Sequence, residues 1–118
     1  MLALLNGLLF DGTGEAPVPG NVLIDGDRIV EVGSPTYPRD CETFDCTGLA
    51  IAPGFIDLHS HGQDDENYRY KAMDGVATAL EMEVGASPVA KWYAERAGKA
   101  LVNFGATVGH IPSRMRAG

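Results

Sequence analysis

The sequence predicts an α/β protein in two unlike parts: a small, mostly antiparallel β unit over residues 1–52, then strand, helix, strand, helix, strand over residues 53–118. Three observations carry this reading. Up to about residue 52, short apolar runs are broken by glycine and acidic turns. From Ile51 to His59 the apolar run is nearly continuous instead of alternating, as expected of a strand buried on both faces. Beyond it, apolar runs alternate with helical patterns, the signature of right-handed βαβ units around a parallel sheet.

In the first part, strands are expected at Leu2–Leu5, Gly7–Phe10, Asn21–Ile24, Arg28–Val32 and Glu42–Asp45. Asp11-Gly12 and Asp25-Gly26-Asp27 mark turns, since glycine and aspartate tolerate the positive φ of tight hairpins. In the second part the polar stretch Gln63–Asp74 predicts a short helix and Val76–Val84 a strand. Ser87 as N-cap with Pro88 at the first helical position opens a helix running to Gly98, and a third strand is expected at Ala100–Val108. A complete (β/α)8 barrel takes roughly 250 residues, so these units are expected to begin a barrel without closing it, as in a fragment.

The net charge is −7, with acidic residues spread along the chain; this disfavours nucleic acid as a partner and fits a solvated surface. No run approaches the roughly 20 apolar residues of a membrane span. Met1–Phe10 lacks a basic leader and is interrupted by Asn6 and Gly7, so neither a signal peptide nor a membrane partner is expected. Cys41 and Cys46 match no common zinc or redox spacing and are expected to be reduced thiols of a cytoplasmic protein.

The informative stretch is Ala52-Pro53-Gly54-Phe55-Ile56-Asp57-Leu58-His59-Ser60-His61-Gly62. On a strand, residues two apart share a face, so Asp57, His59 and His61 are expected to project together from the C-terminal end of the first parallel strand, where barrel active sites lie. Two neutral imidazoles at this spacing suit one divalent ion such as zinc, and a nearby carboxylate can fix a ring tautomer. An isolated His-x-His is more often a pair of ordinary polar residues. Here, however, the stretch resembles the first metal motif of the amidohydrolase superfamily. The preceding "NGLLFDGTG" from Asn6, "NVLIDGDRIVEVG" from Asn21 and "DCTGLAIAPG" from Asp45 are similar to that superfamily's N-terminal β segment.

The resemblance implies a composite β-sandwich part at residues 1–52 and the opening βαβαβ of a metal-dependent-hydrolase TIM barrel at 53–118. Within the superfamily the chain looks most like the D-aminoacylase and N-acyl-D-amino-acid deacylase branch, with hydantoinases and dihydroorotases as near relatives. Gly75-Val76-Ala77-Thr78-Ala79-Leu80 is similar to the "GVTT" entry into the second barrel strand, and the Gly105 to Arg114 stretch adds to the likeness. One departure stands out. That branch places a metal-binding cysteine near the end of the second strand, and this chain reads Leu80-Glu81-Met82-Glu83-Val84-Gly85. Glu81 and Glu83 share a face, and Glu83, nearest the strand end, is the candidate for the bridging role; otherwise both glutamates contact substrate, support ligands or pair with a basic residue.

The resemblance also implies hydrolysis of an amide-type C–N bond, with one or two divalent ions, Zn2+ first, activating water and polarising the carbonyl. His59, His61 and Glu83 are the metal candidates, Asp57 the catalytic carboxylate, and His110 and Arg114 the candidates for holding a substrate carboxylate. The expected partner is a small-molecule amide, N-acyl-D-amino acids first and cyclic amides as the alternative. Uncovered apolar faces also suit a homo-oligomer. Lys71, Lys91 and Lys99 fall in helices or loops and do not match a carboxylated metal-bridging lysine; Trp92 and Tyr93 read as packing residues. A non-catalytic scaffold of the same fold is the rival reading, and retention of both histidines argues against it.

Overall fold

The computed structural model describes residues 1–118. The chain separates into two compact units, Met1–Pro53 and Gly54–Gly118. No helix is long and apolar enough to cross a membrane, and both cysteines are free.

The first unit is a five-stranded sheet of β1 (Leu2–Leu9), β2 (Val18–Asp25), β3 (Arg28–Gly33), β4 (Glu42–Asp45) and β5 (Ala50–Ile51). The strand path is β3-β2-β1-β4, and β5 also pairs with β1. The two runs expected on either side of Asn6 are one strand. Asn6 adopts a left-handed φ of 61°, and the register of β1 on β2 shifts between Leu4 and Gly7, so the break is a bulge and not a turn. The bulge is tied down by the Asn6 N–H donating to Asn21 Oδ1 (2.8 Å) and Asn6 Nδ2 donating to Asp45 Oδ1 (3.1 Å). Gly7 is required for close approach, because a Cβ there would lie 2.4 Å from Ile51 Cδ1. The unit is mostly antiparallel, as expected, with β1 on β2 and β2 on β3; β4 and β5, laid end to end, add parallel pairing along the other edge of β1.

The second unit is a parallel three-stranded sheet, β6 (Phe55–Asp57), β7 (Val76–Ala86) and β8 (Asn103–Val108), in the order β6-β7-β8. Helix α1 (Asp65–Met73) connects β6 to β7, α2 (Val89–Arg96) connects β7 to β8, and α3 (His110–Ala117) follows. This is the expected βαβαβ order. The long strand predicted over Ile51–His59 is split, since Ala50–Ile51 pairs with β1 and only Phe55–Asp57 joins the second sheet. Pro53 lacks the N–H that a ladder needs. Nor is the strand buried on both faces: Phe55 and Ile56 are 67% and 63% exposed.

The core of this unit is Tyr68, Ala79 and Val102, with Val76, Ala100 and Phe104 packed against it. Tyr68 is 1% exposed, and its hydroxyl, which burial would otherwise leave unpaired, donates to Gln63 Oε1 at 3.0 Å. Trp92 and Tyr93 pack on Phe104, with ring centroids 5.7 and 5.6 Å away. Arg96 lies 4.1 Å over the Trp92 ring.

Two helix starts differ from expectation. Pro88, not Ser87, is the N-cap of α2, and no side chain caps it. The Ser87 hydroxyl instead accepts from Ser113 Oγ and Arg116 Nη1. Helix α3 is not legible in the sequence because Pro112 lies near its start. A proline in the first turn forfeits only an N–H that has no intrahelical acceptor.

Candidate metal centre

The site is built where β6 ends. Its ladder with β7 pairs Asp57 with Ala79, and the Ser60 N–H continues the alignment by donating to Leu80 O at 3.0 Å. Ser60 turns inward and is 1% exposed, and its Oγ has no partner. Its neighbours His59 and His61 therefore stand on the opposite, open side, as strand alternation requires. The two rings meet edge to face with centroids 4.9 Å apart.

Opposite them, β7 presents Glu83. His59 Nε2 lies 2.6 Å and His61 Nε2 2.9 Å from Glu83 Oε2, and the two ring nitrogens are 3.1 Å apart. A tetrahedral ion bound at about 2.0 to 2.1 Å would separate its ligand atoms by about 3.3 Å, so this triangle is slightly tighter than a loaded site. Two imidazole nitrogens and a carboxylate oxygen are a donor set that zinc accepts, and the three side chains offer one ligand atom each within 4.8 Å of one another. The arrangement fits a divalent ion.

Glu81, two residues earlier on the same face, meets the far side of the same ring: its Oε2 lies 2.8 Å from His61 Nδ1. The Glu81 side chain is 12% exposed, against 47% for His61, 60% for Glu83 and 67% for His59. Its hydrogen bond to Glu81, then that to Glu83, raises the His61 pKa above the ordinary histidine value. Burial opposes ionisation of Glu81, but hydrogen bonds from His61 and the backbone N–H groups of Gly85 and Val84 outweigh it and hold the carboxyl below its ordinary value. Glu83 is likewise lowered, by His59 first and His61 next.

The segment carrying the histidines is anchored from α1. Asp64 is the N-cap, its Oδ1 accepting from the Asn67 N–H at 2.9 Å, and Lys71 Nζ donates to the His61 carbonyl at 3.0 Å. Lys71 is thus occupied as a backbone anchor.

The remaining predicted residues do not converge here. Asp57 accepts the backbone N–H of His59 at 3.1 Å and hydrogen-bonds neither ring. His110 and Arg114 lie on α3 with exposed side chains, outside the group that brings His59, His61 and Glu83 together.

No protein-family model matches the chain. Among curated proteins it is similar to a dihydroorotase of Streptococcus pyogenes, 29% identical over 97 residues, which span 75% of this chain and 23% of that relative. Among solved structures, D-hydantoinase from Bacillus sp. AR9 matches with a TM-score of 0.76 at 23% identity, over 89% of this chain and 26% of the other. N-acyl-D-glutamate deacylase from Bordetella bronchiseptica, solved with zinc and a phosphonate inhibitor, matches with a TM-score of 0.75 at 22% identity, over 92% of this chain and 29% of the other. The chain spans about a quarter of the length of these relatives.

Proposed function

We propose that this chain, which has the fold of the N-terminal part of amidohydrolase-superfamily proteins, supplies the first metal ligands of an enzyme that hydrolyses an amide-type C–N bond. The observation that carries the reading is the convergence of His59 Nε2, His61 Nε2 and Glu83 Oε2 at one open point beyond the end of β6 and beside β7. The three atoms lie within hydrogen-bond distance, a ring N–H donating to Glu83 Oε2, and a single cation can take the place of the shared hydrogens with all three as its ligands.

In this reading His59 and His61 hold a Zn2+ ion and Glu83 takes the position that a cysteine has in the D-aminoacylase branch. The bound ion would polarise the scissile carbonyl and activate water. Asp57 holds the His59 backbone in place. His110 and Arg114, on the helix after β8, are offered to a substrate carboxylate, for which the Arg guanidinium has paired donors. Residues 1–52 serve as the β-sandwich part and 53–118 as the opening of the barrel. The two free thiols support a reducing, cytoplasmic setting.

N-acyl-D-amino acids are the first substrate class, supported by the structural likeness to the deacylase. Cyclic amides are the second, favoured by the dihydroorotase and D-hydantoinase likenesses. The test is a Zn2+ titration of the purified chain followed calorimetrically. One ion per chain, lost in His61→Ala, is the expected result, and no saturable binding would overturn the metal site. N-acyl-D-amino acids, hydantoins and dihydroorotate assayed with the full-length parent protein then separate the substrate classes.

A further inference from the structure

We infer that Glu81 is the positioning residue that fixes the tautomer of His61, and thereby turns the His61 Nε2 lone pair toward the ion; the inference rests on the metal-site reading above. Glu81 does two jobs with its two oxygens. Oε1 receives the backbone N–H groups of Val84 (3.1 Å) and Gly85 (3.4 Å), and Oε2 faces His61 Nδ1 at 2.8 Å. Because Oε1 is held by two main-chain donors, the carboxylate cannot swing away from the ring without leaving them unpaired.

The stretch of β7 supplying those donors, where its register on β8 shifts between Glu81 and Ala86, is itself fixed. Gly85 has a φ of +70°, and a Cβ on it would lie 2.7 Å from Gly109 Cα and 2.8 Å from the Thr107 carbonyl oxygen, so this backbone is pinned against the end of β8. An ionised carboxylate only accepts. The neutral ring has one hydrogen for two carboxylates, Glu81 at Nδ1 (2.8 Å) and Glu83 at Nε2 (2.9 Å). Glu81, the less exposed of the two and the one held in place by main-chain donors, takes it at Nδ1, and the Nε2 lone pair is left to the space shared with His59 and Glu83. Glu81 is also the least exposed side chain of the four, which distinguishes it from a surface ion pair that opens freely to water.

The informative variant is Glu81→Gln, which preserves size and shape. The oxygen of the amide is required at Oε1 by the two backbone donors, so the amide nitrogen takes the Oε2 position. That nitrogen donates, and His61 Nδ1 must then accept, which moves the ring hydrogen to Nε2 and blocks the metal lone pair.

The test is imidazole nitrogen NMR of the metal-free chain at alkaline pH, with His61 assigned by its loss in His61→Asn, combined with zinc titration. The expected result is the Nδ1–H tautomer in the wild type, the Nε2–H tautomer in Glu81→Gln with an otherwise unchanged backbone spectrum, and zinc affinity lower by about 10- to 100-fold. An Nε2–H wild type, or a Glu81→Gln chain that keeps Nδ1–H and full zinc affinity, overturns the assignment. If Glu81→Gln fails to fold, the wild-type tautomer decides alone. If the tautomers reverse as expected but the wild type binds no zinc, Glu81 keeps its role toward His61 and the metal reading falls.

Discussion

His59 Nε2 and Glu83 Oε2 stand 2.6 Å apart although 24 residues separate them in the chain. The parallel register of β6 on β7 sets the end of β6, Asp57, beside Ala79 in the middle of β7, and the Ser60 bond to Leu80 keeps the histidine segment alongside the rest of β7 after β6 has ended. The end of β6 and the long β7 thus bring three ligand atoms within 4.8 Å of one another, in the unit whose buried core is Tyr68, Ala79 and Val102.

Removing a donor from this triangle should cost more zinc affinity than the roughly 10- to 100-fold lost when an outer partner of a ligand is removed. His59→Ala and Glu83→Ala are each expected to do so while leaving the far-ultraviolet circular dichroism unchanged, because both side chains are more than half exposed. Zinc titration of each variant against the wild type is the measurement. Retained affinity in Glu83→Ala would remove the carboxylate from the ligand set and leave the histidine pair.

The zinc-loaded chain by itself is expected to release no amine from N-acyl-D-amino acids. Its gathered groups are three ligands, and its one predicted catalytic carboxylate, Asp57, is committed to the His59 backbone. A discontinuous amine-release assay at high protein concentration checks this. Turnover that disappears on chelation would show that the chain holds a complete catalytic set.

Tyr68→Ala should destabilise the second unit by about 3 to 5 kcal/mol, the usual cost of emptying a buried aromatic site, and Tyr68→Phe by about 1 kcal/mol for the lost hydrogen bond to Gln63. Urea titration of both variants gives the comparison. Near-equal midpoints for the Ala variant and the wild type would mean that the Tyr68 ring is not the centre of this core.

Gly85→Ala should cost about 2 kcal/mol, since a left-handed residue with a Cβ is strained, and more if the backbone cannot yield around the contacts with Gly109 and Thr107. The same substitution displaces the donors to Glu81 Oε1, so zinc affinity should fall together with stability. A loss of stability without any loss of affinity would uncouple the Gly85 backbone from the site.

The histidine pair was legible because its spacing is covalent and strand periodicity does the rest. Glu83 was legible by the same alternation. The contacts of Glu81 were not, since they depend on which nitrogen of one ring each carboxylate meets, and on an irregularity of β7 at Gly85 whose close contact with Gly109 arises only on folding. The backbone bond that Asp57 accepts from His59 was not legible either, because periodicity assigns a side chain its face and not its partner. Exposed Phe55 and Ile56 show why an apolar run reads as doubly buried when the three-stranded sheet leaves both open. The bulge at Asn6 and the helix through Pro112 are local exceptions that tertiary contacts and helix-end chemistry permit.

Asp64 caps α1, the helix that anchors the histidine segment, and the Asn67 backbone N–H, followed by the Asn67 side chain, holds its carboxyl below the ordinary aspartate value. A carboxyl whose folded pKa is depressed stabilises the fold fully above its unfolded pKa and loses that contribution as pH falls through the folded one. Asp64→Asn keeps a capping oxygen, because asparagine is as good an N-cap as aspartate, but it cannot titrate and it forfeits the favourable negative charge at the helix N-terminus. At neutral pH the wild type should therefore be the more stable of the two. The gap should close as the pH drops below the ordinary aspartate range, while the other depressed carboxyls, Asp11, Asp45, Glu81 and Glu83, continue to destabilise both proteins alike. Thermal unfolding midpoints of the pair, taken stepwise from neutral pH into acid, isolate the difference. A gap that stays constant through the acid range would show that the Asp64 charge takes no part in holding α1, and that its cap acts through hydrogen-bond geometry alone.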